Sequence, residues 1–149
     1  MKIPVDIRIL RERYTSDPRK KTEEAEESES YFVSGTMRTT KEGFTIKFRE
    51  KMQDMHTTVS TYKDGTVSIN RVGEINTHMV FMDGRSLTCI CDTGFTPFQI
   101  NVRTKQIDNS LSLDGGRLDI RYTIEIHGNL AEKSRLLLSV SPDKSIIKS

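Results

Sequence analysis

The chain has 149 residues, 34% of them hydrophobic, and a formal net charge of +2 from 23 basic and 21 acidic residues. This length suits one domain, so we treat residues 1–149 as a single unit. The sequence shows neither a long apolar run nor a secretory signal, which predicts a cytoplasmic protein with no membrane partner. The charge excess is too small to indicate nucleic acid as a partner, and we expect none.

The first element in chain order is a strand. Apolar residues occupy every second position over residues 3–9, which predicts a half-buried strand over residues 2–13. A charged block follows, in which three consecutive basic residues precede five glutamates. A helix here would place the basic residues in its first turn, against the helix dipole. We therefore expect residues 15–29 to form a charged loop, and leave open whether it acts as a lid.

Three Asp-Gly steps divide much of the remaining chain into strand pairs. They are Asp64-Gly65, Asp83-Gly84 and Asp114-Gly115. Asp-Gly between runs of β-branched and aromatic residues is a strong hairpin signal, because glycine adopts a positive φ without steric cost. Other glycine-containing turns separate the remaining runs, and residues 142–149 are expected to form a frayed tail.

Pairing arithmetic assigns a register to two of these hairpins. A three-residue loop over residues 63–65 places Val59 opposite Ile69, so that apolar residues meet on one face. The same register places Arg71 on the face of Val67 and Ile69, so that it either points to the inner face of the barrel near one rim or marks the point where the strand leaves for solvent. The hairpin at Asp114-Gly115 is predicted to have a two-residue turn, with the pairs Leu111–Leu118 and Ile107–Tyr122.

The overall pattern predicts an all-β fold. About 8–10 short strands are joined by connections too short for a parallel crossover, so the sheet must be antiparallel. Sequential hairpins favour closure into a single up-and-down β-barrel, which also removes exposed strand edges. The side chains expected inside the barrel are Phe44, Phe48, Met79, Phe81, Phe98, Tyr122, Ile124 and Leu138.

Four stretches carry a resemblance to a known family. They are residues 67–73, Phe81 before Asp83-Gly84, residues 93–95 followed by 98–104, and residues 116–122. With these stretches and an opening Val5-Asp6-Ile7, the chain resembles the YwiB-like family of small bacterial proteins over nearly its whole length. The resemblance implies a calycin-like (lipocalin-like) β-barrel and no known activity. Cys91 stands where the resemblance leads us to expect a tyrosine. This departure affects the expected details of the connection that follows Cys91 and leaves the expected barrel unchanged.

Arg71 is the first candidate for a functional residue. An inward guanidinium needs a partner, since an unpaired buried charge costs several kcal/mol. A protein carboxylate such as Glu74 would make Arg71 structural, whereas a ligand carboxylate or phosphate would make it a binding anchor. The predicted ligand-binding residues are Arg71, Tyr122, Phe81 and Phe98.

We predict neither a metal nor a cofactor. Cys89, Cys91 and His78 could together supply three zinc ligands, but zinc sites usually present paired thiolates on turns and with a two-residue gap. The chain's three histidines show no spacing that indicates an iron ligand.

A mild basic stripe is formed by Arg117, Arg121, Lys133 and Arg135. Asp119 and Glu125 lie on the same strand face as Arg117 and Arg121. Cross-strand charge pairing is therefore favoured over contact with RNA.

The sequence contains no catalytic motif, so we predict that the protein is not an enzyme. The favoured hypothesis is a barrel that binds a small amphipathic or anionic ligand, which rests on analogy of fold. One alternative is a protein-interaction or structural module with a packed barrel that could form a homodimer. The other is an enzyme whose site a single sequence does not reveal. A large apolar cavity with a polar anchor would favour the ligand-binding barrel, and a filled barrel would favour the interaction module. A cleft that contains titratable groups with perturbed pKa values would favour the enzyme.

Overall fold

The protein, described by a computed structural model over residues 2–14, 25–50, 54–92, 94 and 97–143, is a closed antiparallel sheet. Its strands are β1 (Lys2–Tyr14), β2 (Ala25–Thr39), β3 (Gly43–Glu50), β4 (Met55–Tyr62), β5 (Val67–Val72), β6 (Asn76–Phe81), β7 (Ser86–Asp92), β8 (Phe98–Asn109), β9 (Gly116–Ile126) and β10 (Asn129–Pro142). Each strand pairs with the next, and β10 returns to pair with β1. The predicted all-β, up-and-down antiparallel barrel is confirmed. In the part of the chain described, no helix is long and apolar enough to cross a membrane.

The barrel interior is filled with apolar side chains. The residues at alternate positions of each strand point inward and form one buried cluster, which includes Ile7, Met37, Phe81 and Ile120. Most of the predicted interior residues belong to this cluster or pack against it, namely Phe44, Phe48, Met79, Phe81, Tyr122, Ile124 and Leu138. Phe98 is the exception, because it begins β8 at an end of the barrel and is 42% exposed.

The register predicted for the β4–β5 hairpin is confirmed. Val59 lies opposite Ile69, and Thr57 lies opposite Arg71. The loop closes with the Gly65 amide donating to the Tyr62 carbonyl oxygen, and Gly65 has the positive φ that this loop requires.

The register predicted for the β8–β9 hairpin is wrong by two residues. Leu118 lies opposite Asn109 and not Leu111, and Ile107 lies opposite Ile120 and not Tyr122. The turn runs from Ser112 to Gly115, so Gly115 is its last residue and not a central one. A shift of two residues keeps each side chain on its face, so the hydrophobic pattern could not exclude it. Residue 115 must be a glycine for reasons of space, since a Cβ on Gly115 would lie 2.5 Å from the Val140 carbonyl oxygen.

The ends of the elements differ from the prediction in two places. Strand β2 begins at Ala25, so residues 25–29 of the expected charged loop pair with β1 instead. Residues 15–24 lie outside the described residues. At the other end, Pro142 is still in β10 and the Asp143 amide donates to the Pro4 carbonyl oxygen, while residues 144–149 lie outside the described chain.

Gly35 is the first residue of β2, in chain order, to pair with β3. It lies opposite Phe48, and a Cβ atom placed on it would lie 2.4 Å from the Lys47 carbonyl oxygen and 3.0 Å from the Phe48 Cβ. These neighbours are backbone or close to it, so they cannot move aside easily. The two strands therefore approach each other here because residue 35 has no side chain.

We expect Gly35→Ala to lower the free energy of unfolding by about 1–3 kcal/mol, because the added methyl group overpacks the junction between β2 and β3. Ser34→Ala is the matched control, since Ser34 is exposed on the outer face and its loss should change stability by less than about 0.5 kcal/mol. Urea denaturation measures both variants. Equal stability of the two would contradict the steric account.

Candidate functional site

The barrel wall is split between β2 and β3. Their ladder covers only residues 35–39 of β2 and 44–48 of β3. Beyond it, residues 25–34 of β2 pair with β1 alone, and Arg49 and Glu50 of β3 pair with β4 alone. Within the described chain, one edge of β2 is thus left without a partner strand. Every second residue of such an edge directs its N–H and C=O groups outward.

A cavity of about 920 Å³ lies along this split. It is lined by Asp6, Glu29, Ser30, Tyr31, Phe32, Val33, Ser34, Arg49, Glu50 and Ser141. The volume falls within the usual range for small-ligand pockets, about 300–1,000 Å³. The cavity combines aromatic and aliphatic surface with carboxylates, so it can accept an amphipathic group.

Glu50 lies at the centre of a charged network at the split. Its side chain is only 4% exposed. One carboxylate oxygen accepts a hydrogen bond from Arg71 at 2.7 Å, and the other accepts one from Arg11 at 3.0 Å and one from the Tyr31 hydroxyl. These four side chains come from β3, β5, β1 and β2, so the network connects strands on both sides of the split.

The network fixes the protonation state of Glu50. Burial raises the pKa of this carboxyl, but the hydrogen bonds from Tyr31 and Arg71 and the charge of Arg11 outweigh it, so the pKa lies below its usual value. Burial and the hydrogen bond to Glu50 raise the pKa of Tyr31. At neutral pH the site therefore holds a carboxylate and a neutral phenol, and neither is placed to exchange a proton near pH 7.

Arg71 lies on the inner face, as the register indicated, but its partner is Glu50 and not the expected Glu74. Because this carboxylate belongs to the protein, the geometry favours a structural role for Arg71 over that of a ligand anchor. Neither Arg71 nor Arg11 is among the residues that line the cavity. The described residues thus place Glu50, and not Arg71, at the cavity surface.

The other predicted ligand-binding residues do not meet at one site. Phe81 is fully buried and contacts Tyr122 edge to face, with ring centroids 5.0 Å apart. Burial raises the pKa of Tyr122, and the charge of Glu132 adds to this effect. These two rings are part of the packed core, whereas Phe98 is exposed at an end of β8.

The cysteines and His78 lie on opposite faces of the sheet. Cys89 and Cys91 are buried and have free thiols, while His78 is exposed and pairs with Ile90 of the neighbouring strand. Burial, with a smaller effect of Asp92, raises the pKa of Cys91. The described residues contain no cluster of three metal-ligating side chains.

The basic stripe on β9 and β10 contains cross-strand ion pairs. Arg135 donates two hydrogen bonds to Asp119, at 3.0 and 2.8 Å, and a third to Glu12 at 3.3 Å. The hydrogen bond to Asp119, together with the two nearby negative charges, raises the pKa of Arg135. The expected charge pairing therefore holds for Arg135.

The sequence reading missed Glu50, although a signal was present. Ile46, Phe48 and Glu50 occupy alternate positions of β3, and all three are buried. A glutamate that continues an apolar face predicts a buried carboxylate with cationic partners. Finding those partners required knowing which strands lie close to the end of β3.

Together, the closed sheet and the packed core define an all-β barrel protein whose distinctive site is a split in its wall. A family model described as "Domain of unknown function (DUF1934)" matches residues 15–138, so the chain belongs to this family. The crystal structure of the ywiB protein from Bacillus subtilis is similar, with a TM-score of 0.78 at 14% identity over 95% of this chain and 93% of that one. The predicted YwiB-like resemblance is thereby confirmed, and the likeness shows the fold. No curated protein matches the sequence.

We expect Glu50→Gln to lower the free energy of unfolding by about 2–3 kcal/mol. Breaking a fully buried ion pair costs about 3–5 kcal/mol, and both arginines here keep some contact with water, which reduces the loss. Asp54→Asn is the matched control, because it breaks the exposed Arg49–Asp54 pair and should cost less than about 1 kcal/mol. Denaturant titration measures the free energy of unfolding of both variants. Equal losses would show that the Glu50 network contributes no more to stability than an exposed ion pair.

The lowered pKa of Glu50 also predicts a dependence of stability on pH. The network's contribution is fully present above the ordinary glutamate pKa of 4.5 and is lost as pH falls through the lower value of the folded state. Wild-type protein should therefore lose more free energy of unfolding than Glu50→Gln between about pH 5 and pH 3. Parallel curves for the two proteins would contradict the assignment.

Proposed function

We propose that this protein is a non-enzymatic binding module that takes up an extended polypeptide segment along the open edge of β2. The observation that carries this proposal is the split in the wall, where residues 25–34 of β2 pair with β1 alone among the described strands. An extended peptide satisfies such an edge by adding one more strand, and its side chains then occupy the neighbouring groove.

The side chains beside this edge supply apolar contact. Phe32 is 76% exposed, the most exposed of the large hydrophobic residues described, and it lines the cavity together with Val33. Covering an exposed phenylalanine ring contributes about 1.5–3 kcal/mol. A partner with an apolar residue opposite Phe32 would gain this contribution in addition to the backbone hydrogen bonds.

The charges of the groove favour a basic partner. Asp6 and Glu29 line the cavity and have no cationic partner among the described residues, whereas Arg49 is bound to Asp54 at 2.7 Å. A second copy of β2 would bring its own acidic residues, Glu27 and Glu29, to this edge, and like charges close together destabilise strand pairing. The proposed partner is thus an extended segment in which basic and apolar side chains alternate, and a homodimer through this edge is disfavoured.

A small molecule in the same cavity is the second candidate, and the volume of about 920 Å³ favours it. The packed interior and the Glu50 partner of Arg71 argue against a ligand inside the barrel with Arg71 as its anchor. Asp6 and Glu29, the lining carboxylates that have no cationic partner among the described residues, argue instead for a cationic head group, and so against the anionic ligand that the sequence suggested.

A direct test uses a short peptide of alternating lysine and valine and a matched peptide of alternating glutamate and valine. We expect the lysine peptide to bind with a dissociation constant of tens of micromolar, about −6 to −7 kcal/mol. It should also protect β2 amides from hydrogen exchange. The glutamate peptide should bind at least about tenfold more weakly. Equal binding of the two peptides, or no added protection in β2, would contradict the proposal.

A pair of variants locates the binding surface. Phe32→Ser should weaken binding of the lysine peptide about tenfold, because the apolar contact is lost. Ile90→Ser is the matched control, since Ile90 is 57% exposed on β7 and its replacement should change affinity by less than about twofold. Fluorescence anisotropy measures both. Equal effects would place the peptide elsewhere.

A further inference from the structure

A groove on the outer face of β1 to β4 holds three cations without an acidic partner. Lys2, Arg38 and Lys47 are all exposed and line a cavity of about 370 Å³. In the part of the chain that the structure describes, no carboxylate lies within salt-bridge distance of any of them. This distinguishes them from Arg135, which binds two carboxylates.

The strand registers place these cations close together. Lys2 of β1 lies directly opposite Arg38 of β2. Lys47 of β3 lies opposite Thr36, and Arg38 lies opposite Thr45, so Lys47 and Arg38 are diagonal neighbours. Like charges placed directly opposite in a sheet are destabilising. The arrangement costs stability unless an anion offsets it.

Four threonines complete the groove with hydroxyl groups. They are Thr36, Thr40, Thr45 and Thr58. Threonine hydroxyls and lysine or arginine side chains are the donors that bind phosphate oxygens. The exposed Glu42, in the turn that follows Thr40, is the acidic residue nearest to the groove in sequence.

We propose that this groove binds a small molecule that carries two or more phosphate groups. Three cations exceed the charge of a single carboxylate ligand, and they match that of a polyphosphate group. A nucleic acid strand is disfavoured, because none of the lining residues is aromatic and the groove therefore offers no ring on which a base could stack. The groove is also at the small end of the range for ligand pockets. This site is separate from the split, whose lining residues it does not share.

The experiment titrates tripolyphosphate into the full chain by calorimetry at low ionic strength. We expect saturable binding at one site, and Arg38→Gln/Lys47→Gln should weaken it at least about tenfold. The control Arg103→Gln/Lys105→Gln removes the same charge from β8, whose outer face carries Arg103 and Lys105, and should change affinity by less than about twofold. Thermal denaturation verifies that both double variants remain folded.

Three results would overturn the proposal. The first is the absence of saturable binding. The second is an equal loss in the two double variants, which would indicate general attraction to a positively charged protein. The third is tighter binding of oligothymidylate than of tripolyphosphate at the same residues, which would make a nucleic acid strand the occupant.

Discussion

The interruption of backbone pairing between β2 and β3 is the constraint on which the site depends. A barrel is stable because every strand has two neighbours, and here residues 25–34 of β2 are paired on one side only within the described chain. The Glu50 network takes over where the ladder ends. Tyr31 and Arg11 reach Glu50 from one side of the split and Arg71 reaches it from the other. Side chains therefore hold together a wall that backbone hydrogen bonds leave open.

This exchange of backbone for side-chain bonds explains why the network is charged. A buried carboxylate must be paired and hydrogen-bonded to offset its desolvation, and Glu50 has two guanidinium partners and one phenol. The network thereby fixes the position of Glu50 at the cavity surface while the apolar core fills the space inside the barrel. The surface available for a partner lies in the wall and not in the interior, which is why our proposals concern the split and the outer face.

The sequence predicted the fold well, because alternation and turn chemistry are local signals. The β4–β5 register was correct since a shift by one residue would have turned Val59 and Ile69 to opposite faces. The β8–β9 register was wrong because a shift by two leaves every face unchanged, so the hydrophobic pattern does not distinguish the two registers. The site was predicted only in part. Arg71 was correctly directed inward, but Glu50 and the split depend on how far two strands remain together, which no local pattern records.

Native-state hydrogen exchange of Tyr31→Phe tests the central claim most directly. The substitution removes one hydroxyl that bridges the split, and a hydrogen bond to a charged group contributes about 1.5–3 kcal/mol. Our account predicts faster exchange in the β2–β3 ladder, at residues 35–39 and 44–48, with little change in the β8–β9 ladder. Exchange that stays unchanged in both ladders, or that rises equally in both, would show that the Glu50 network does not hold the split together.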